Sequence, residues 1–212
     1  MLREIIAILR GVRPEEVQSI GRVLVDAGIT TIEVPMNSPK PLESIEILSD
    51  SLRGEAKIGA GTVLETSQVR DVAAAGGQLI VSPDTVPDVI AATKKAGLAS
   101  YPGVATPSEC FTALRSGADG LKFFPSFLIG PDGLSAISAV LPKGTKTYAV
   151  GGVGPDNFAD WMHAGITGFG IGSGLYKAGS SATDVDLKAK AIVTAYDFNL
   201  NKTARNVPNF LA

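Results

Sequence analysis

GLKFFPS, residues 120–126, is a short apolar run bounded by glycine at one end and proline at the other. That is the pattern of a strand buried on both faces, as in a parallel sheet covered by helices. One residue departs from it, Lys122. Bringing a lysine from its ordinary pKa near 10.4 down toward 7 takes about 3 units, or ~4 kcal/mol. Two readings fit such a residue. The amine is held neutral and nucleophilic, as imine chemistry requires, or the stem is buried while the head reaches out at the strand's mouth.

Similar runs recur on both sides. IIAIL (5–9) ends in Arg10–Gly11, and Pro14 opens a helix with Val17, Ile20 and Leu24 on one face, stopping at Gly28. TTIEVPM (30–36) precedes a helix carrying Leu42, Ile45, Leu48 and Leu52, and KIGAGTV (57–63) precedes one ending at Ala75–Gly76. LIVSP (79–83) is followed by a helix from Pro87 to Ala96–Gly97. ASYPGV (99–104) is read as one strand, and Thr106–Pro107–Ser108–Glu109 forms a capping box for a helix that stops at Gly117. Leu134, Ile137 and Leu141 mark the helix after GLKFFPS. TYAVGGV (147–153) leads to a helix opened by Pro155 and closed at Ala164–Gly165, and GFGIGSG (168–174) to a last helix over about 184–198.

Eight strand–helix units of about 25 residues, with no linker, predict an α/β fold: a (β/α)8 TIM barrel forming a single compact domain over residues 1–198. An open doubly wound sheet is the alternative. Residues 199–212, which include NKTARNVPNFLA (201–212), show no helical period and read as a C-terminal tail, either disordered or an arm for oligomer contact.

Composition excludes several function classes. Of 212 residues, 45% are apolar and 19% charged, which provides for a large core. A net charge of −2 argues against an electrostatic grip on nucleic acid or on anionic membrane. No apolar stretch approaches the ~20 residues that span a bilayer, and no signal peptide opens the chain. The single cysteine, Cys110, excludes an intrachain disulfide and points to a reducing cytoplasm, with the thiol packed in a helix. The single histidine, His163, suits a helix C-terminus better than catalysis. With one His and one Cys, the chain is poorly equipped for catalytic zinc or for serine–histidine chemistry. Lysine, glutamate, arginine and backbone groups must carry whatever reaction there is.

Polar residues inside the strands are therefore informative, above all near the C-terminal ends where such barrels keep their sites. Arg10, Glu33, Thr62 and Lys122 stand out. Alternation puts Glu33 on the face opposite Ile32 and Val34, and Lys122 with Phe124 opposite Leu121 and Phe123. If the apolar members face the helices, Glu33 and Lys122 both point into the barrel mouth, as an acid/base beside an amine or as a structural ion pair. Arg10 and Thr62 offer a guanidinium and a hydroxyl for a carboxylate, unless Arg10 simply pairs with Glu33. Lys57 and Lys146 begin their strands and belong at the opposite, solvated end. AVGGVGPDN (149–157) and GIGSGLY (170–176, with Gly170 leading) bring Gly151, Gly152, Gly172 and Ser173 to the ends of the last two strands, a recurrent phosphate position in this architecture. Residues 174–177 are placed to start a short extra helix there.

LRG (9–11), IEVPMNSP (32–39), GAGTV (59–63), LIVSP (79–83), PGVATPSE (102–109), LKFFPS (121–126), AVGGV (149–153) and the GSGLY run (172–176), in this order and spacing, resemble the KDPG/KDPGal aldolase family over about residues 5–198, closest to its galactonate-type members. The resemblance implies a class I aldolase, a carbon–carbon lyase working without metal or other cofactor, usually a homotrimer. Lys122 would form the Schiff base and Glu33 would shuttle protons. Arg10, Thr62 and Pro83 would line the pyruvate end, with Phe124 beside the imine. Val150, Gly151, Gly152, Gly172 and Ser173 would lie toward the phosphate. A phosphorylated 2-keto-3-deoxy sugar acid would be cleaved to pyruvate and glyceraldehyde 3-phosphate. Gluconate-type members carry an arginine where this chain has Asn37 and a threonine where it has Val150. A gluconate-preferring or dual-specificity aldolase is thus the nearest alternative. A phosphosugar epimerase or isomerase and a non-catalytic phosphometabolite-binding barrel stand further off.

Overall fold

Every strand pairing among the described residues is parallel, so paired neighbours must be joined by crossovers, and helices supply them. The structure, a computed structural model, describes residues 3–205. Strands β1 (Ile5–Ile8), β2 (Thr31–Pro35), β3 (Lys57–Gly61), β4 (Leu79–Val81) and β5 (Ala99–Tyr101) alternate with helices α1 (Pro14–Ala27), α2 (Pro41–Ser51), α3 (Thr66–Ala74) and α4 (Pro87–Lys95). Then come β6 (Gly103–Val104), α5 (Pro107–Arg115), β7 (Leu121–Phe123), α6 (Ser126–Ser138), β8 (Thr147–Val150), α7 (Phe158–His163), β9 (Gly168–Ile171) and α8 (Ala182–Arg205). The sheet order is β5-β4-β3-β2-β1-β9-β8-β7-β6, so its two ends are consecutive in the chain. The barrel expected from the sequence is present.

The run 99–104 is not one continuous strand, however. Pro102 has no N–H for the ladder, and the chain divides there. Its first half pairs with β4, and its second half pairs with β7. This divided segment closes the ring, with Ser82 N–H donating to the Tyr101 carbonyl (3.2 Å) on one side and Lys122 N–H to the Pro102 carbonyl (2.9 Å) on the other.

Burial follows the two-residue alternation. Ile32, Val34, Leu121, Phe123, Ala149 and Phe169 are completely buried between strands and helices. Inward positions carry Ile6, Ile8, Glu33, Lys122, Tyr148 and Val150, or only glycine on β3 and β9. At the N-terminal end of the barrel, Tyr148 Oη donates to Glu4 (2.7 Å), which also pairs with Lys146 (2.8 Å). Lys57 and Lys146 are exposed there, as expected. Cys110 is buried in α5, its thiol pushed up to about 11 by burial, and His163 sits exposed in the last turn of α7.

Four boundaries differ from the sequence reading, each for a local reason. The helix expected from Pro155 starts only at Phe158, because Asn157 closes a turn first: it accepts from Gly154 N–H and donates to the Gly152 carbonyl. Helix α6 begins at Ser126, breaks at Gly130 (φ 68°) and ends at Ser138, leaving Leu141 in the turn beyond. Residues 174–177 make a turn rather than a helix, with Leu175 and Tyr176 N–H both donating to the Gly172 carbonyl. Finally, α8 continues past residue 198, where the barrel was expected to end, to Arg205. Leu200, one turn beyond Tyr196 and two beyond Val193, keeps the same face on the core and extends the helix. The rest of the expected tail, 206–212, lies outside the described residues.

The capping box of α5 is formed as the sequence suggests. Thr106 Oγ1 accepts from Glu109 N–H (3.3 Å), and the Glu109 carboxylate accepts from Thr106 N–H (2.9 Å). The N–H of Ala105 (2.9 Å), followed by the hydroxyl and N–H of Thr106, holds that carboxyl below its usual range against its partial burial. Thr106→Ala is expected to cost about 1 kcal/mol of stability in chemical denaturation.

Candidate active site

Glu33 and Lys122 come from strands on opposite sides of the ring. From β2 to β7 there are four steps through β1, β9 and β8, and four the other way, counting the divided segment as one position. The two side chains therefore face each other across the lumen. Each is almost wholly buried, at 2% and 7% exposure. Room for the carboxylate comes from Gly61 on the neighbouring strand: a Cβ there would lie inside the Glu33 carboxyl group.

Burial dominates the electrostatics of both groups. It pushes the Glu33 carboxyl up to about 7, against the pull of the Lys122 and Arg10 charges, and Oε2 of Glu33 has no hydrogen-bond partner. It likewise lowers the Lys122 amine, with Arg10 adding to the shift and Glu33 opposing it. Both shifts run toward the uncharged form, as desolvation demands of a pair too far apart or too dry to compensate. Lys122 Nζ donates to the Ser82 carbonyl (3.2 Å) and lies 4.6 Å from the Phe124 ring centroid, so the amine is aimed as well as buried.

A cavity of about 540 Å³ opens above this pair at the C-terminal ends of the strands. Of the residues expected to form the site, Arg10, Glu33, Lys122, Phe124, Val150, Gly151, Gly152, Gly172 and Ser173 all line it. Thr62 and Pro83 do not. Thr62 Oγ1 instead accepts from Arg10 Nη2 (3.4 Å), and Pro83, half-buried at the end of β4, is packed by its carbonyl against Gly103.

At the far end, Gly151 and Gly152 have φ of 95° and 75°, where a side chain would be strained. Their carbonyls are taken by Ser126 Oγ (2.6 Å) and Asn157 Nδ2 (2.8 Å). Because the N–H of a trans peptide points opposite its carbonyl, the N–H groups of Gly152 and Val153 are turned the other way. That leaves two donors on cavity-lining residues, a suitable cradle for an anion.

The model of the family described as "Aldolase: KDPG and KHG aldolase" matches residues 1–190. The chain belongs to the KDPG and KHG aldolase family. Relatives of this aldolase include the "Probable 2-dehydro-3-deoxy-6-phosphogalactonate aldolase" of Rhizobium meliloti (strain 1021), 49% identical over 197 residues that cover 93% of each chain. The 2-dehydro-3-deoxy-6-phosphogalactonate aldolase of Escherichia coli (strain K12) is 45% identical over 91% of this chain and 94% of its own. A solved structure described as "Native KDPGal structure" superposes with a TM-score of 0.92 at 44% identity, covering 93% of this chain and 96% of that one. Family membership puts the enzyme among the carbon–carbon lyases.

Four lining residues of the aldolase are not singled out from sequence, Ile8, Val153, Gly170 and Ala178, while Gly174, Tyr176 and Lys177 are expected there only as the start of a short helix. Ile8 and Gly170 each lie two residues before a chosen position, Arg10 and Gly172, so the alternation already used could have found them. Tyr176 gave no such signal, since its place depends on a tertiary bond from Oη to Glu16 (2.8 Å). Among the described residues, no group of three or more His, Cys, Asp or Glu is placed to hold a metal ion.

The raised carboxyl has a consequence for stability. A folded pKa of about 7 against an ordinary 4.5 means that Glu33 supports the fold fully below pH ~4.5. That contribution is lost as pH rises through about 7, by about 3 kcal/mol in total. Glu33→Gln is expected to remove this slope, so that denaturation midpoints of variant and wild type diverge in the variant's favour between pH 4.5 and 8. Parallel curves would show that the carboxyl is not held protonated.

Proposed function

We propose that this cavity is the active site of a class I aldolase cleaving 2-dehydro-3-deoxy-6-phospho-D-galactonate to pyruvate and D-glyceraldehyde 3-phosphate. The observation that carries the reading is the opposed pair of buried groups, Lys122 and Glu33, each shifted by burial toward its uncharged form, inside a family of aldolases. The uncharged amine of Lys122 adds to the C2 ketone. Glu33, through a water, supplies the proton that lets the C2 oxygen leave as water and form the iminium. The Glu33 carboxylate then takes the proton of the C4 hydroxyl. The C3–C4 bonding electrons flow into the iminium, leaving an enamine and releasing the aldehyde. Protonation of the enamine at C3 by Glu33 and hydrolysis of the imine return pyruvate and the free amine. A carboxyl titrating near 7 suits a group that must give and take protons in one cycle.

Arg10 is assigned to the substrate carboxylate and Phe124 to the face of the imine, while Gly151, Gly152, Gly172 and Ser173 take the phosphate, orienting the scissile bond between them. Thr62 and Pro83 serve the pyruvate end from behind, through Arg10 and through the wall beside Gly103. The galactonate epimer is favoured over the gluconate one by the names of the relatives and by Asn37 and Val150, where gluconate-type members carry arginine and threonine. A cytoplasmic homotrimer completes the proposal. The exposed pair Phe127–Leu128 leaves apolar surface for a second copy, and the buried thiol of Cys110 suits a reducing compartment. No helix among the described residues is long and apolar enough to cross a membrane.

Two measurements test the reading. Pyruvate with borohydride should leave a reduced adduct on the Lys122 peptide. Lys122→Ala should lose the adduct and at least ~1,000-fold of turnover while keeping its fold, since it removes the nucleophile itself. An adduct elsewhere, or none, rejects the class I assignment. The two C4 epimers should be cleaved at different rates, the galactonate faster, and Val150→Thr should shift the ratio toward the gluconate by about tenfold, the scale of one hydroxyl contact. A wild type that prefers the gluconate epimer rejects the substrate.

A further inference from the structure

We propose that Asn37 is a positioning residue that, with Ser38 and Thr62, fixes the Arg10 guanidinium at the cavity mouth as the receiver of the substrate carboxylate. This rests on the reading of the cavity as a keto-acid lyase site. Arg10 lines the cavity and Asn37 does not, so Asn37 acts only through Arg10. Three bonds from two loops hold the segment. Asn37 Oδ1 accepts from Arg10 Nη1 (2.5 Å), Thr62 Oγ1 accepts from Nη2 (3.4 Å), and Ser38 Oγ accepts from Gly11 N–H (2.9 Å). The side chain is thus gripped at its tip while the backbone just beyond it is pinned by the residue next to Asn37.

The chemistry of the grip is what points to a ligand. Four other arginines, Arg3, Arg13, Arg22 and Arg53, are bound by carboxylates. Arg10 is held by an amide and a hydroxyl, and among the described residues no carboxylate lies within ion-pair distance of it. Neutral acceptors orient a guanidinium without cancelling its charge, which leaves the charge and the remaining N–H donors for an incoming anion. Thr62 supports the same conclusion independently. It is a β-branched residue at φ 56°, a conformation such residues adopt only where surrounding structure enforces it. Here its hydroxyl is one of the two groups on the guanidinium.

The experiment measures pyruvate half-saturation in borohydride trapping on Lys122, together with the trapping rate at saturation. Asn37→Ala frees the guanidinium and is expected to raise half-saturation about tenfold, the scale of one charge-assisted hydrogen bond, with the saturated rate within about threefold of wild type. Asn37→Asp keeps the acceptor in place but cancels the charge, and is expected to raise half-saturation at least as far as the alanine. A purely structural role predicts the reverse, with aspartate restoring wild-type behaviour. The proposal is overturned if Asn37→Asp binds pyruvate as well as wild type, or if Asn37→Ala leaves half-saturation unchanged. A wild type that traps no pyruvate at all removes the lyase reading first and this proposal with it.

Discussion

The cost of taking two ionisable groups out of water governs the architecture around them. An isolated buried carboxylate or ammonium is penalised by several kcal/mol even after relaxation, and Glu33 and Lys122 relieve that by drifting toward neutrality. Such a pair could have been replaced by two leucines without harm to a barrel whose outward faces already carry the core. Keeping it demands space and direction. Gly61 gives the carboxylate its space, while the Ser82 carbonyl and the Phe124 ring give the amine its direction. The stability of the fold is drawn from Ile32, Val34, Leu121 and Phe123 one residue away on the same two strands. Pleating thus separates the part of each strand that holds the protein together from the part available for chemistry.

The two ends of the cavity obey different rules. Near Lys122 and Glu33 the groups sit on strands, rigid and dry, where small differences in proton affinity are preserved. Toward Gly151, Gly152 and Ser173 the wall is backbone and solvent-facing, and in the proposed reaction recognition there falls to N–H direction rather than to charged side chains. Lys177 adds a cation near that end, but an exposed one, screened by water. Arg10 lies between these regimes. It is exposed, so its position depends on the hydrogen bonds that hold it and not on packing.

Much of this was legible in the sequence, for two physical reasons. Strand alternation is a hard geometric rule, so a lone charge such as Glu33 in TIEVP has only two places to go, and the apolar neighbours settle which. Helix-stopping glycines at 28, 97 and 165 are equally local, with φ of 93°, 75° and 88°. What sequence did not reveal is set by contacts between distant segments. Pro102 marks a place where the ladder fails, but which strands take the two halves is set by partners about 20 residues to either side. Pro155 has the local signature of a helix start, but Asn157 closes a turn with Gly152 and Gly154 first. Thr62 is expected at the carboxylate end from its place at a strand end, but its φ of 56° and the bond from Arg10 to its hydroxyl are features the strand pattern alone does not show.

The divided segment at Pro102 ties closure and chemistry to the same residue. Lys122 donates its backbone N–H to the Pro102 carbonyl on one side of the seam, while its side chain reaches past that segment to the Ser82 carbonyl on the other. The proposed nucleophile is therefore also a stitch, spanning the place where the ring is joined through a divided segment rather than by an unbroken strand. In the proposed reaction the amine leaves Ser82 to bond carbon, and the seam then keeps its backbone bonds and the bond from the Thr85 hydroxyl to the Gly103 carbonyl (2.6 Å).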